Sequence, residues 1–103
     1  MKPYGKLVRD RIPELIRQGG GTPVTETMDD DRYLAELDRK LNEEVAEYQE
    51  SKALEELADI LEVVEAIAVA RGATLEQLAQ VKAEKKRERG GFAEKIYLIR
   101  KEG

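Results

Sequence analysis

Apolar positions recur at helical spacing over most of the chain. Between Val8 and Gln18, together with Leu7 just ahead, Ile12, Leu15 and Ile16 mark one face, Asp10 stands ahead of Pro13, and Gly19-Gly20-Gly21 closes the stretch. This pattern predicts a short helix starting near Asp10, with proline in the first turn, where its missing N–H removes no helical bond. Thr22 to Met28 is rich in β-branched residues and has Pro23 near its start, so residues 22–28 are expected to be extended. Asp29-Asp30-Asp31 then offers an N-cap and favourable negative charge for a long helix ending near Glu50.

On that helix Leu34, Leu37, Leu41, Val45 and Tyr48 form one stripe, with Glu44 at its margin, Glu47 flanking it and Glu43 pointing away. Ser51-Lys52 reads as a tight break, with Ser51 as N-cap of a second helix from about Ala53 to Arg71. The second helix has two apolar stripes, one of Leu54, Leu57, Leu61, Val64 and Ala68 and one of Ile60, Val63, Ala66, Ile67 and Ala70. A helix apolar nearly all round belongs in the middle of a bundle. Glu56 and Asp59 head the second stripe, so they are acids in a burying context. Gly72 suits the C′ position, and Thr74 with Gln77 makes a capping box for a further helix to about Arg89. That helix has a thin apolar stripe of Leu75, Leu78 and Val81 and a basic face of Lys82, Lys85, Lys86 and Arg89. Gly90-Gly91 stops it. Lys95 to Lys101, centred on Ile96-Tyr97-Leu98-Ile99, reads as a short strand or extended tail, and as a strand it could pair with residues 22–28. The expectation is a mainly all-α fold, a single domain over residues 1–103, with extended segments near residues 22–28 and 95–101.

At 103 residues the chain buries a modest fraction of its surface, which invites partner chains to complete the core. Lysine plus arginine total 18 against 22 acids, a net charge of −4, so neither nucleic acid nor a membrane is expected as the principal partner. Without a stretch of signal-peptide or membrane-spanning length, the chain is expected to be cytoplasmic. It contains no cysteine and no histidine, which excludes disulfides, Cys/His zinc sites and thiol or Ser-His nucleophiles within one chain. Proton transfer near neutral pH would fall to a carboxylate, Lys, Tyr or metal-bound water.

Against that background the acids stand out. Glu43-Glu44-Val45-Ala46-Glu47 and Glu56-Leu57-Ala58-Asp59 lie on two helices that fold back at the Ser51-Lys52 break. At about 1.5 Å per residue, Glu47 and Glu56 sit roughly 6 to 8 Å from the break, and Glu44 and Asp59 roughly 10 to 12 Å. All four therefore lie at matching heights. Ionised carboxylates sharing one place repel unless a cation lies between them, and an oxygen-only set selects a hard ion, Mg²⁺ or Mn²⁺. The ordinary explanation of acids on a helix is a solvated face with i,i+4 ion pairs. Two features weigh against it here: the apolar setting of Glu56 and Asp59, and the match in height across the hairpin. Glu43 and Glu55 face outward. The Gly90-Gly91-Phe92 turn lacks the spacing of a phosphate-binding P-loop. Tyr4, Tyr33, Tyr48 and Phe92 are candidates for stacking on a base, although aromatic residues in a small helical protein are usually core.

Glu-Glu-x-x-Glu followed by Glu-x-x-Asp on paired helices resembles the all-α nucleoside triphosphate pyrophosphohydrolase superfamily, which includes MazG proteins, dimeric dUTPases and phosphoribosyl-ATP pyrophosphohydrolase. Lys6-Leu7-Val8-Arg9-Asp10-Arg11-Ile12-Pro13 near the start and Arg89-Gly90-Gly91-Phe92 with Lys95-Ile96 and Leu98 near the end are similar to a small single-domain subgroup labelled phosphoribosyl-ATP pyrophosphohydrolase-like. The resemblance implies Mg²⁺, with Mn²⁺ as substitute, held by Glu44, Glu47, Glu56 and Asp59, the set that the height count also reaches. It leaves Glu43 for a further metal or for orienting water. It also implies assembly as a homodimer or as a dimer of dimers. The gap between the two acidic motifs is shorter than in longer MazG domains, which leaves less material around the base. The expected activity is hydrolysis between the α and β phosphorus atoms of a nucleoside triphosphate, with Lys6, Arg9, Lys82, Lys85 and Arg89 as phosphate ligands. Its rivals are phosphoribosyl-ATP hydrolysis in histidine synthesis and a non-catalytic helical oligomer or metal-binding module.

Overall fold

The computed structural model describes residues 5–103, and Tyr4 lies outside them. The fold is all-α, and the described residues form four helices: α1 (Ile12–Gln18), α2 (Asp30–Ser51), α3 (Leu54–Ala70) and α4 (Leu75–Arg89). Among the described residues there is no strand. Residues 22–28 and 95–101 are irregular and do not pair, which corrects the strand reading of the second segment. Ile96, Tyr97, Leu98 and Ile99 are all exposed, so nothing offers that apolar run a neighbouring edge.

The helix ends follow local chemistry. The Asp29 side chain accepts from the Arg32 backbone N–H at 2.8 Å, capping α2, and Asp30 and Asp31 place negative charge in its first turn. Gly72 follows α3 with φ +95, a left-handed conformation that glycine adopts without steric cost. Thr74 and Gln77 form the reciprocal capping box of α4: the Gln77 N–H donates to Thr74 Oγ1 at 3.0 Å, and the Thr74 N–H donates to Gln77 Oε1 at 2.9 Å. The break between α2 and α3 differs from expectation. Ser51 is the last residue of α2, and Ala53 occupies the N-cap of α3 without a side-chain cap. Ser51 Oγ instead accepts from the Ala53 N–H at 3.2 Å, while Lys52 turns the chain in a left-handed conformation, φ 58.

The main packing is the antiparallel α2–α3 hairpin, and among the described helices α4 packs on α3 alone. Leu37 of α2 and Val63 of α3, 3% and 8% exposed, are the buried hydrophobic residues. The α3 stripe of Ile60, Val63, Ala66, Ile67 and Ala70 is buried or half-buried, while Leu54, Leu57 and Leu61 of the other stripe lie exposed. At the end of the hairpin away from the break, Arg71 donates to Asp38 Oδ2 at 3.2 Å. The radius of gyration is 18.1 Å, against about 13 Å for a compact domain of this length. No described helix is long and apolar enough to cross a membrane.

Candidate metal centre

Adjacent residues of α2 reverse their expected roles where the acids meet. Glu44 is buried, 6% exposed, whereas Val45 of the apolar stripe is turned outward. Helical spacing continues the half-buried or buried line of Leu37, Lys40 and Leu41 into Glu44, which brings the carboxylate against α3. On α3, Glu56 and Asp59 are three residues apart and half-buried, one helical turn ahead of Val63. One carboxylate oxygen from each of Glu44, Glu56 and Asp59 lies within 4.8 Å of the others. The hairpin thus brings together three of the four acids expected to bind metal. Glu47 stays exposed beside them, close enough for its charge to act on Glu44.

Lys40 and Arg9 bring positive charge to this cluster. Lys40 Nζ lies 3.4 Å from Glu44 Oε1 and 3.4 Å from Glu43 Oε2. Arg9, reaching in from the N-terminal segment, donates from Nη2 to Asp59 Oδ1 at 2.6 Å. Glu44 Oε2 remains buried with no hydrogen-bond partner. Burial raises the Glu44 carboxyl above its ordinary pKa, and the nearby Glu47 charge raises it further, against the opposing pull of Lys40. Buried carboxylate oxygens are ordinarily paired, and an orphan of this kind calls for a partner. Three convergent carboxylates with one orphaned oxygen fit a hard divalent cation, and Glu44, Glu56 and Asp59 are the residues that would hold it.

The other expected site residues are distributed more widely. Glu43 is half-buried and paired with Lys40. Arg9 lies at the centre, but on a carboxylate. Lys6 is exposed on the N-terminal segment. Lys82, Lys85, Lys86 and Arg89 are exposed on α4 and, among the described residues, form no ion pair with the acids. Lys40 was absent from the sequence-derived set. Its position four residues before Glu44 on one helix was the available signal.

No protein-family model matches the chain, and no solved structure matches it. A stretch of 42 residues is 69% identical to an uncharacterized protein of Mycolicibacterium smegmatis, covering 41% of this chain and 43% of that protein. The chain therefore spans less than half the length of that relative.

Proposed function

We propose that the chain is a Mg²⁺-dependent nucleoside triphosphate pyrophosphohydrolase that releases pyrophosphate and a nucleoside monophosphate, with Mn²⁺ able to substitute. The observation that carries this reading is the meeting of Glu44, Glu56 and Asp59 at one place in the hairpin, with Glu44 Oε2 buried and unpartnered. A divalent ion bound there would neutralise phosphate charge and lower the pKa of an attacking water. Glu44, Glu56 and Asp59 supply the negative charge that holds it, and Glu47 adds charge at the rim. Lys40 pairs with one Glu44 oxygen, and the other stays buried without a partner. Arg9, already at the centre, is placed to move from Asp59 to an incoming phosphate oxygen, a bidentate donor matched to phosphate. Glu43 is a candidate for orienting water.

Lys6, Lys82, Lys85 and Arg89 remain candidate phosphate ligands. For Lys82, Lys85 and Arg89, the lack of contact between α4 and α2 supports their acting on the acids of another copy. A homodimer or dimer of dimers is supported by the exposed Leu54, Leu57 and Leu61 of α3 and by a core in which, among the described residues, Leu37 and Val63 are the buried hydrophobic ones. We place the protein in the cytoplasm, with nucleotide as its partner rather than nucleic acid.

A second reading is favoured by the Arg9–Asp59 and Lys40–Glu44 pairs: a resident ion network on a non-catalytic helical module. Pyrophosphate release from canonical and modified nucleoside triphosphates, deoxynucleoside triphosphates and phosphoribosyl-ATP, with Mg²⁺ or Mn²⁺ and an EDTA control, decides between them. Metal-dependent release is expected and names the substrate. Silence across the panel from folded protein would leave the ion network.

A further inference from the structure

A cleft of about 410 Å³ opens between the N-terminal segment, residues 25–28 and the first turns of α2. We infer that this cleft holds the base and sugar of the nucleotide whose phosphates meet the acid centre, an inference that rests on the proposed activity. The link is Arg9, which lines the cleft and at the same time donates to Asp59 at 2.6 Å. The cleft and the three-acid cluster are therefore one arginine side chain apart. Phosphates held at the cluster leave their nucleoside in this hollow.

The lining matches that occupant. Val8, Pro13 and Met28 provide apolar surface, and Tyr33 provides an aromatic ring on which a base can stack. Thr27 and Asp30 offer polar groups to base edges and sugar hydroxyls. The cleft mixes apolar and polar side chains, and its volume falls in the range of about 300 to 1,000 Å³ usual for small-molecule sites. Charge sets the direction of entry. Asp10, Glu26 and Asp30 line the cleft, and Glu26 is occupied by Arg32 at 2.6 Å. The Asp10 and Asp30 carboxylates repel phosphates while accepting hydrogen bonds from neutral donors, so the triphosphate faces Arg9 and the nucleoside faces inward. A second hollow of about 260 Å³, beside Glu62, Glu65 and Leu75, does not include Arg9 or the acid cluster.

The test is amide-resolved NMR of the whole protein with Mg²⁺ and α,β-methylene nucleoside triphosphates, alongside Mg²⁺ with inorganic tripolyphosphate. The nucleotides should shift Thr27, Met28 and Tyr33, and tripolyphosphate should leave these three unmoved. Nucleotide shifts confined elsewhere, or the same with both ligands, overturn the cleft assignment. Thr27→Trp, a change at an exposed position, should raise KM for the hydrolysed nucleotide by about tenfold or more while leaving Mn²⁺ affinity unchanged. An unaltered KM, or loss of Mn²⁺ binding together with nucleotide binding, counts against it. Cleft shifts without any turnover would uphold the cleft and remove the hydrolase, whereas turnover without cleft shifts would do the reverse.

Discussion

The α2–α3 hairpin and α4 are ordered by different means. The hairpin is held by packing across its two helices around Leu37 and Val63, and it carries a buried acid, Glu44, that opposes its own stability. Helix α4 buries no residue, and its support is local: a complete capping box at one end, and Lys86, Arg87 and Arg89 in its last turn at the other, where cations favour the helix dipole. A helix secured by its ends can keep a solvated basic face, whereas a helix secured by packing can hold charges away from water. Only the second kind of element can draw carboxylates together out of water, and the hairpin is where Glu44, Glu56 and Asp59 meet.

The largest expected effect is on catalysis. Asp59→Ala should lower pyrophosphate release by about a hundred- to a thousandfold while far-ultraviolet circular dichroism stays that of the folded protein. Retained turnover in the folded variant would remove the hairpin acids from the reaction. Next comes the packing itself. Leu37→Ala should cost about 2 to 5 kcal/mol in denaturant unfolding, since its side chain is almost wholly enclosed. A loss below about 1 kcal/mol would mean that the hairpin is not held by this contact.

Much of this contrast was legible in the residues. The α3 stripe from Ile60 to Ala70, the Asp29 cap and the Thr74–Gln77 box were all readable because spacing and cap chemistry are local properties. The matching heights of Glu44 and Asp59 followed from helical rise alone. Other features depend on side-chain direction after the hairpin closes. Glu44 rather than Val45 turns inward, and Glu47 stays outside the group formed by the other three acids. The Arg9–Asp59 pair joins residues 50 positions apart, and no helical period could indicate it. Ser51 carries the chemistry of an N-cap, yet the left-handed Lys52 shifts the helix start and leaves Ser51 closing α2.

The burial of Glu44 gives a sharper test of what the hairpin tolerates. Its carboxyl pKa is raised in the folded protein by burial first and by Glu47 second, so the unfolded chain ionises it more readily. Ionised Glu44 therefore weighs against folding at neutral pH. In metal-free protein this penalty is relieved as pH falls through the raised value, and the relief is complete below the ordinary carboxyl value of 4.5. Glu44→Gln should raise metal-free stability at pH 7, and the difference from wild type should shrink on acidification. Mg²⁺ at a hundred times its dissociation constant should add about 2.7 kcal/mol to the wild type and much less to the variant. Equal Mg²⁺ stabilisation of both proteins would move the ion elsewhere.

The smallest effect separates the two regions most directly. Thr74→Ala removes the oxygen that accepts from the Gln77 N–H and should destabilise α4 by about 1 kcal/mol. Because α4 buries no residue and touches only α3, the loss should appear as faster amide hydrogen exchange over residues 75–89, with the amides around Leu37 and Val63 little changed. Uniformly faster exchange through the hairpin would show instead that α4 and the hairpin unfold as one unit. The capping box would then support the acid centre from a distance, through the short Arg71–Ala73 connection that ties α3 to α4.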